Sequence, residues 1–542
     1  MICLEENRIY RLDLNDYLYI DILYDGNEVH LVSNGNTPID TVSFSSTGRK
    51  SIIKIAGIPR CTINLEDGKV HTKLKIVPTS AVRNYSEILN TEANDEDFLQ
   101  NYLRYSKIND NGAIQNETEL HTHFMEILSG EEYLQLILRH LEYIGVDSEG
   151  NLCRSYPTER NNPRMLDESA IHTWISREDI YRDRELYNEL VKQLSLPIDK
   201  QVEFTEINKV LTKRTALLDL IGYKDAKSQI DTVDVPENQL ENVVRKLRSD
   251  AKSEIYVEIL LDSLETLKKQ GIKYVELSYS TYSTIIKIHE KIKNKNIGGI
   301  KFNFLLSENR NAQGKAFREH YQDGESNTVK RNKTAIEVIL PKLIKLGYVN
   351  GFDLMGMEQQ ILESDYEKDS VGNSSLYDKL SPILKVLNSF NDNNLVCRLH
   401  AGEMQYEPPD LEGKSNPERT LEILDKIVMD NDLIVPPPSI RIGHGLHIQK
   451  NSNYLALLKK YKVVIEINAS SNFALSNIKD MRQIPYRWYF ENNIPMVLGT
   501  DGGGFYLNTP LDESKIAELF GGKDVAEGIK RTDEFEIRRR GL

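Results

Sequence analysis

Four short stretches of this chain combine the residue types that bind metals and move protons. The first is ELHTHF, where His121 and His123 stand two apart on an extended run, so a period of two turns both imidazoles to one face. The second is VCRLHAGE, in which His400 and Glu403 are separated by Ala and Gly, residues small enough to leave room for a substrate between two working groups. The third is RIGHG, carrying His444, and the fourth is VLGTDGGG, carrying Asp501. Three imidazoles and one carboxylate (His121, His123, His400, Asp501) suit a divalent ion such as Zn²⁺ with one position open to water. A metal lowers the pKa of its water toward ~7 and so gives hydroxide at neutral pH. Attack of that hydroxide on an aromatic C–NH₂ carbon also requires a proton on the ring nitrogen. Glu403 is placed to supply that proton, with His444 as base or positioner of the water.

Each piece alone has an ordinary reading. An HxH in a strand is often two unremarked histidines, a lone His is more often structural, and TDGGG serves as a turn. The elements that carry them decide the matter. Eight short apolar runs recur between longer helical segments: ETELHTHF, IKYVELSYS, IKFNFLLSE, VNGFDLMG, LVCRLHAGE, IRIGHGLH, YKVVIEINASS and IPMVLGTDGGG. Strands buried on both faces and alternating with helices imply a parallel sheet, and eight of them imply a closed (β/α)₈ barrel. No GxGxxG opens a helix after the first strand, which argues against a doubly wound sheet. In a barrel the strand ends converge on one mouth, so all four stretches meet there.

The remaining chain divides by texture. Residues 1–80 read as a small β-rich module, with alternating runs at Tyr17–Tyr24 and His71–Val77 and hairpin pairs at Asp25-Gly26, Asn34-Gly35 and Asp67-Gly68. Residues 81–114 read as a polar, partly helical connector, and 115–542 as the barrel domain. About 150 residues separate His123 from Glu276, so a helical insertion is expected over roughly 145–250.

Bulk properties narrow the partners. Lys and Arg number 68 against 82 Asp and Glu, a net charge of −14, which disfavours general nucleic-acid binding. No run of 18 apolar residues offers a membrane span, and MICLEENRIYRLDL carries charges where a signal peptide needs an apolar stretch. Four scattered cysteines without a CxxC fit a cytoplasmic protein. Self-association is left open.

In order, HTH, YVELSYS, GFDLMG, HAGE, GHG and TD resemble the motifs of the adenosine deaminase-like metallo-dependent hydrolases, over roughly residues 117–510. The resemblance implies one zinc ion held by His121, His123, His400 and Asp501. It implies Glu403 as donor to purine N1, His444 as the residue orienting the attacking hydroxide, and Gly356 as a backbone that approaches the purine ring. Three departures accompany it. Adenosine deaminases follow HxH with Leu-Asp-Gly, whose Asp reaches the ribose, whereas Phe124-Met125-Glu126 stands here. The second Asp of their TDD, which contacts purine N7, is Gly502. Ser278 stands where an Arg is common.

Machinery kept and sugar readers changed point away from plain adenosine, toward an adenine nucleotide of the AMP or ATP type. AMP deaminases also lack the ribose-reading Asp, and nucleotide deaminases with added domains occur in bacterial anti-phage systems. Arg154, Arg160 and Arg164 in the insertion and Arg310 at the third strand's end are the candidate phosphate contacts. The rival readings are a nucleoside deaminase, a hydrolase of the same barrel class on another amine or amide, and a silent ligand-binding barrel. The last would have been free to lose some of the six site residues, and all six are present.

Overall fold

The structure is a computed structural model. It describes residues 2–4, 8–13, 19–24, 29–33, 42–47, 50–55, 58–64, 69–72 and 75–78, and then 116–539 except 158, 160–164, 198–201, 231–236, 294–296, 298, 311–334, 368–374, 393, 405–413, 434–438, 476 and 479–480.

Eight parallel strands run in chain order around one sheet: Thr118–His123, Tyr274–Tyr279, Lys301–Asn309, Val349–Met355, Val396–Ala401, Ser439–His444, Val464–Ile467 and Met496–Leu498. They are called the first to eighth barrel strands below. Each is apolar on alternate positions facing the outer helices, and the helices that follow them supply Leu and Ile to a single continuous core. The ends of the sheet meet. Asp501 N–H donates to the His121 carbonyl at 2.9 Å and His123 N–H to the Asp501 carbonyl at 2.8 Å, a parallel bridge that closes the barrel. The eight-stranded barrel expected from the sequence is therefore present.

Between the first and second barrel strands lies a long excursion. It holds the capped helix Gly130–His140, where Ser129 and Glu132 form a reciprocal capping box, and an antiparallel pair, Tyr143–Val146 with Thr173–Ser176. Four more helices follow: Arg177–Arg182, Arg184–Gln193, Phe204–Ile230 and Glu237–Lys269. The excursion is thus not purely helical, and its last helix continues beyond residue 250 to lead directly into the second strand. The two long helices pack on each other, and the earlier one buries Arg214 completely, against the Met125 and Leu194 carbonyls.

The described N-terminal strands form two antiparallel sheets of their own. The run His71–Val77 is not one strand: Lys69–Thr72 pairs with Ile58–Asn64, whereas Lys75–Pro78 pairs with Arg8–Asp13 in the other sheet. The hairpin pairs at 25–26, 34–35 and 67–68 and the connector 81–114 lie outside the described residues. Among the described residues no helix is long and apolar enough to cross a membrane.

Candidate active site

The barrel closure itself builds the site. His121 and His123 leave the first strand and Asp501 follows the eighth, so the hydrogen bonds that seal the barrel also bring these side chains together. Asp501 Oδ1 lies 3.2 Å from His123 Nε2 and 3.5 Å from His121 Nε2. The His121 and His400 rings stand 4.8 Å apart, and His444 Nε2 is 3.3 Å from His400 Nδ1. Glu403 Oε2 approaches His444 Nε2 at 3.7 Å and His400 Nδ1 at 4.0 Å. All six residues singled out for metal and proton work therefore share one pocket at the mouth.

Two of them occupy costly backbone. His444 (φ 69°) and Asp501 (φ 64°) are both in the left-handed region, which non-glycine residues rarely adopt without surrounding structure to enforce it. Gly402 also has positive φ, at 80°, and a Cβ there would stand 2.1 Å from the Leu446 carbonyl oxygen. This is the physical need behind the small residue before Glu403. The Glu358 carboxylate grips the same loop from outside. It accepts the Gly402 and Met404 N–H groups at 3.0 Å each and the Asn416 amide at 2.9 Å, which fixes the backbone on both sides of Glu403.

The imidazoles are oriented from behind. His121 Nδ1 donates to Glu466 Oε2 at 2.7 Å, which leaves Nε2 with its lone pair toward Asp501 and the other rings. His444 Nδ1 donates to Asn472 Oδ1 at 2.8 Å, leaving its Nε2 toward His400 and Glu403. His400 Nε2 lies 3.2 Å from Asp353 Oδ1 without hydrogen-bond alignment, and both atoms are buried without a hydrogen-bond partner among the described residues. Buried polar atoms left in this way are expensive, and a cation among them would satisfy them. His121, His123 and Asp501 form one group whose ligand atoms lie within 4.8 Å of one another, and His121, His400 and His444 form another. The donor set thus fits a divalent ion.

Electrostatics separate the carboxyl groups by role. Burial raises Glu403 above the ordinary glutamate range, with His444 opposing that shift. Burial likewise raises Glu126, to about 7. Burial would also raise Asp501 and Asp353, but the imidazoles around them, joined for Asp353 by Arg398, hold both well below the usual aspartate range. Burial lowers His400 to about 3. Burial opposes a charge on His123 too, but its hydrogen bond to Asp501 and the nearby carboxylates raise it to about 9. Burial thus pushes Glu403 toward its neutral form beside carboxylates of ligand type that stay ionised.

The outer candidates scatter more widely. Gly356 (φ 99°) sits at the mouth, and the side chain it lacks would collide with Asn309 Oδ1 at 2.3 Å. Met125 is half-buried and packs on the core, with its carbonyl accepting Arg214 Nη1 at 2.9 Å. A Cβ at Gly502 would stand 2.7 Å from Glu126. Arg310 is buried, and its Nη2 donates to the Leu354 and His400 carbonyls, so it braces strand ends instead of facing outward. Arg154 is exposed, and its charge is felt by Lys213, a residue of the excursion. Arg160 and Arg164 lie outside the described residues.

Comparison with known proteins is consistent with the motifs. Residues 437–527 match the family model described as adenosine deaminase. Adenosine deaminase of Plasmodium gallinaceum is 26% identical over 134 residues, which is 25% of this chain and 32% of that protein. That of Aedes albopictus is 27% identical over 164 residues, 30% of this chain and 25% of that protein. The chain thus spans a third or less of these two curated relatives. Adenosine deaminase of Clostridium acetobutylicum is 23% identical over 312 residues, 55% of this chain and 79% of that protein. The apo N6-methyl-AMP deaminase of Arabidopsis thaliana superposes with a TM-score of 0.43 at 17% identity, over 79% of this chain and 96% of that one.

Proposed function

The chain is adenosine deaminase-like, and from that premise we propose that it hydrolytically deaminates a 6-aminopurine, an adenine nucleotide before the nucleoside, with release of ammonia. One observation carries the reading. Glu403, raised by burial, lies beside His444 and a cluster of three ligand-type groups, His121, His123 and Asp501, at the mouth of a closed barrel.

His121, His123, His400 and Asp501 would hold the metal, zinc in this reading. When bound there, it would supply a water acidified toward neutral pH. The rest of the chemistry belongs to side chains. Glu403, whose burial favours the protonated form, donates its proton to the ring nitrogen next to the amino-bearing carbon, which makes that carbon electrophilic. His444, fixed by Asn472 in the tautomer with a free Nε2, accepts a proton from the attacking water. Asp501 orients that water by accepting its second hydrogen. The proton taken by His444 passes to the amino group, which leaves as ammonia, while the hydroxyl now on the carbon gives up its remaining proton and becomes the 6-oxo group. The product keeps the Glu403 proton on its ring nitrogen, and the released proton restores the acid.

The preference for a nucleotide rests on Met125, whose thioether offers no acceptor for a ribose hydroxyl. Mass spectrometry of products from adenine nucleosides and their mono- and triphosphates, with ammonia release followed in parallel, tests both halves of the proposal. A nucleotide is expected to exceed its nucleoside in kcat/KM by at least about tenfold, the worth of one charge-assisted contact. Glu403→Gln should retain metal and lose ~10²–10⁴-fold in turnover. Silence of the parent on every purine overturns the deaminase reading, and equal efficiency on nucleoside and nucleotide overturns its phosphate part.

A further inference from the structure

Glu126 closes the short turn Phe124–Glu126 after the first barrel strand and is only 7% exposed. Its side chain is directed across the barrel seam: a Cβ placed on Gly502 would stand 2.7 Å from both its Cβ and its Oε2. The carboxyl group therefore fills the space above Gly502, immediately beside Asp501. Among the described residues it accepts no hydrogen bond, although His123, Asp501, Arg214 and His121 all act on it electrostatically. A nearly buried carboxyl without a hydrogen-bond partner is unfavourable unless a ligand provides one. Tyr506 lies close enough to feel Asp501, Glu126 and Glu403 together, so three carboxyl groups from different elements lie near one ring.

The chemistry of a 6-aminopurine then limits what Glu126 can meet. The reacting carbon is flanked on one side by the nitrogen of the six-membered ring and on the other by the imidazole-ring nitrogen. With Glu403 serving the first, the second remains for a group on the Asp501 side. We infer that Glu126 is a specificity-determining residue that hydrogen-bonds the imidazole-ring nitrogen of the base, and that position 502 is glycine because any side chain there would displace it. This inference rests on the deaminase reading above. The nitrogen is an acceptor, so the carboxyl O–H donates.

The test pairs a variant with a substrate lacking the atom. kcat/KM is measured for an adenine nucleotide and its 7-deaza counterpart with the parent, Glu126→Ala, Glu126→Gln and Gly502→Ala, alongside metal content by elemental analysis. The parent is expected to lose at least tenfold on the 7-deaza compound, and Glu126→Ala to treat the two alike while keeping its metal. Glu126→Gln, whose amide still donates, should restore the preference. Gly502→Ala should weaken it as Glu126→Ala does, reading the same contact from the other side if Glu126→Ala fails to fold. An active Glu126→Ala enzyme with an undiminished 7-deaza penalty overturns the inference and leaves the deaminase reading standing. A parent silent on every purine overturns both.

Discussion

At the residue scale the site depends on groups that never touch substrate. Glu466 is completely buried, holds His121 Nδ1 at 2.7 Å and pairs with Arg398 and Arg441 at 2.7 and 3.0 Å. Burial would raise its pKa, but Arg398 and His121 hold it well below the usual range, so it stays ionised. A carboxylate behind a ligating imidazole fixes the tautomer and increases its basicity, and losing it typically costs ~10–100-fold in metal affinity. Glu466→Gln should weaken the metal by that factor in a chelator competition, and an unchanged dissociation constant would remove Glu466 from the site. The ligand-type residues were legible because each sits in a short contiguous pattern. Glu466 and Asn472 were not, since a single charge or amide in a strand or loop carries no pattern of its own, and Asp353 stood inside the GFDLMG motif without a role that its spacing could assign. A weak signal did exist. Arg398 precedes His400 by two, so a strand that delivers a site residue inward delivers its inward neighbour to the layer below. The arginines illustrate the opposite limit. Arg154 and Arg310 are equally plausible anion ligands by type, but only the folded chain shows that one is exposed and the other is spent on strand carbonyls.

At the element scale the eight strands could be read because buried parallel strands are short apolar runs between helices. The antiparallel pair inside the first excursion could not, because its partners are separated by a loop whose length conveys nothing about pairing. The last helix, Lys523–Arg539, had no motif at all, yet it braces the first strand. Asp533 accepts the Glu117 N–H at 2.9 Å and the Thr118 hydroxyl. Burial raises its carboxyl from the usual 3.8 to about 6. Between these two values the unfolded chain releases a proton that the folded chain keeps. The proton therefore favours the folded state, and stability falls as pH rises from about 4 to about 6, by up to ~3 kcal/mol. Asp533→Asn can keep both bonds, its oxygen accepting the N–H and its amide donating to the hydroxyl. The variant should lose this slope and match or exceed the parent at pH 7 in denaturant midpoints. A parent profile equally steep in the variant would assign the slope to other groups.

At the scale of the whole molecule, the barrel interior below the site is ionic where many barrels are apolar. Arg441 joins three carboxylates from separate parts of the chain: Glu276 at 2.7 Å, Glu466 at 3.0 Å and Glu536, from the terminal helix, at 2.8 Å. All four groups are essentially inaccessible to water. Through Glu466 this cluster continues to His121, so the end of the chain is coupled to the candidate metal site by three contacts in series. Burying such charges is weak evidence for stability, since desolvation offsets attraction, but removing one partner is severe because the others remain uncompensated. Arg441→Met should therefore lower unfolding free energy by ~3–5 kcal/mol and loosen the metal along with the fold. Adding Glu536→Leu removes one of the stranded carboxylates, so the double variant should be more stable than the sum of the single changes allows, by at least ~1 kcal/mol. Urea titrations with unchanged m-values would measure this coupling. Simple additivity would show that Arg441 and Glu536 act separately, and that the terminal helix holds the barrel by its apolar face and Asp533 alone.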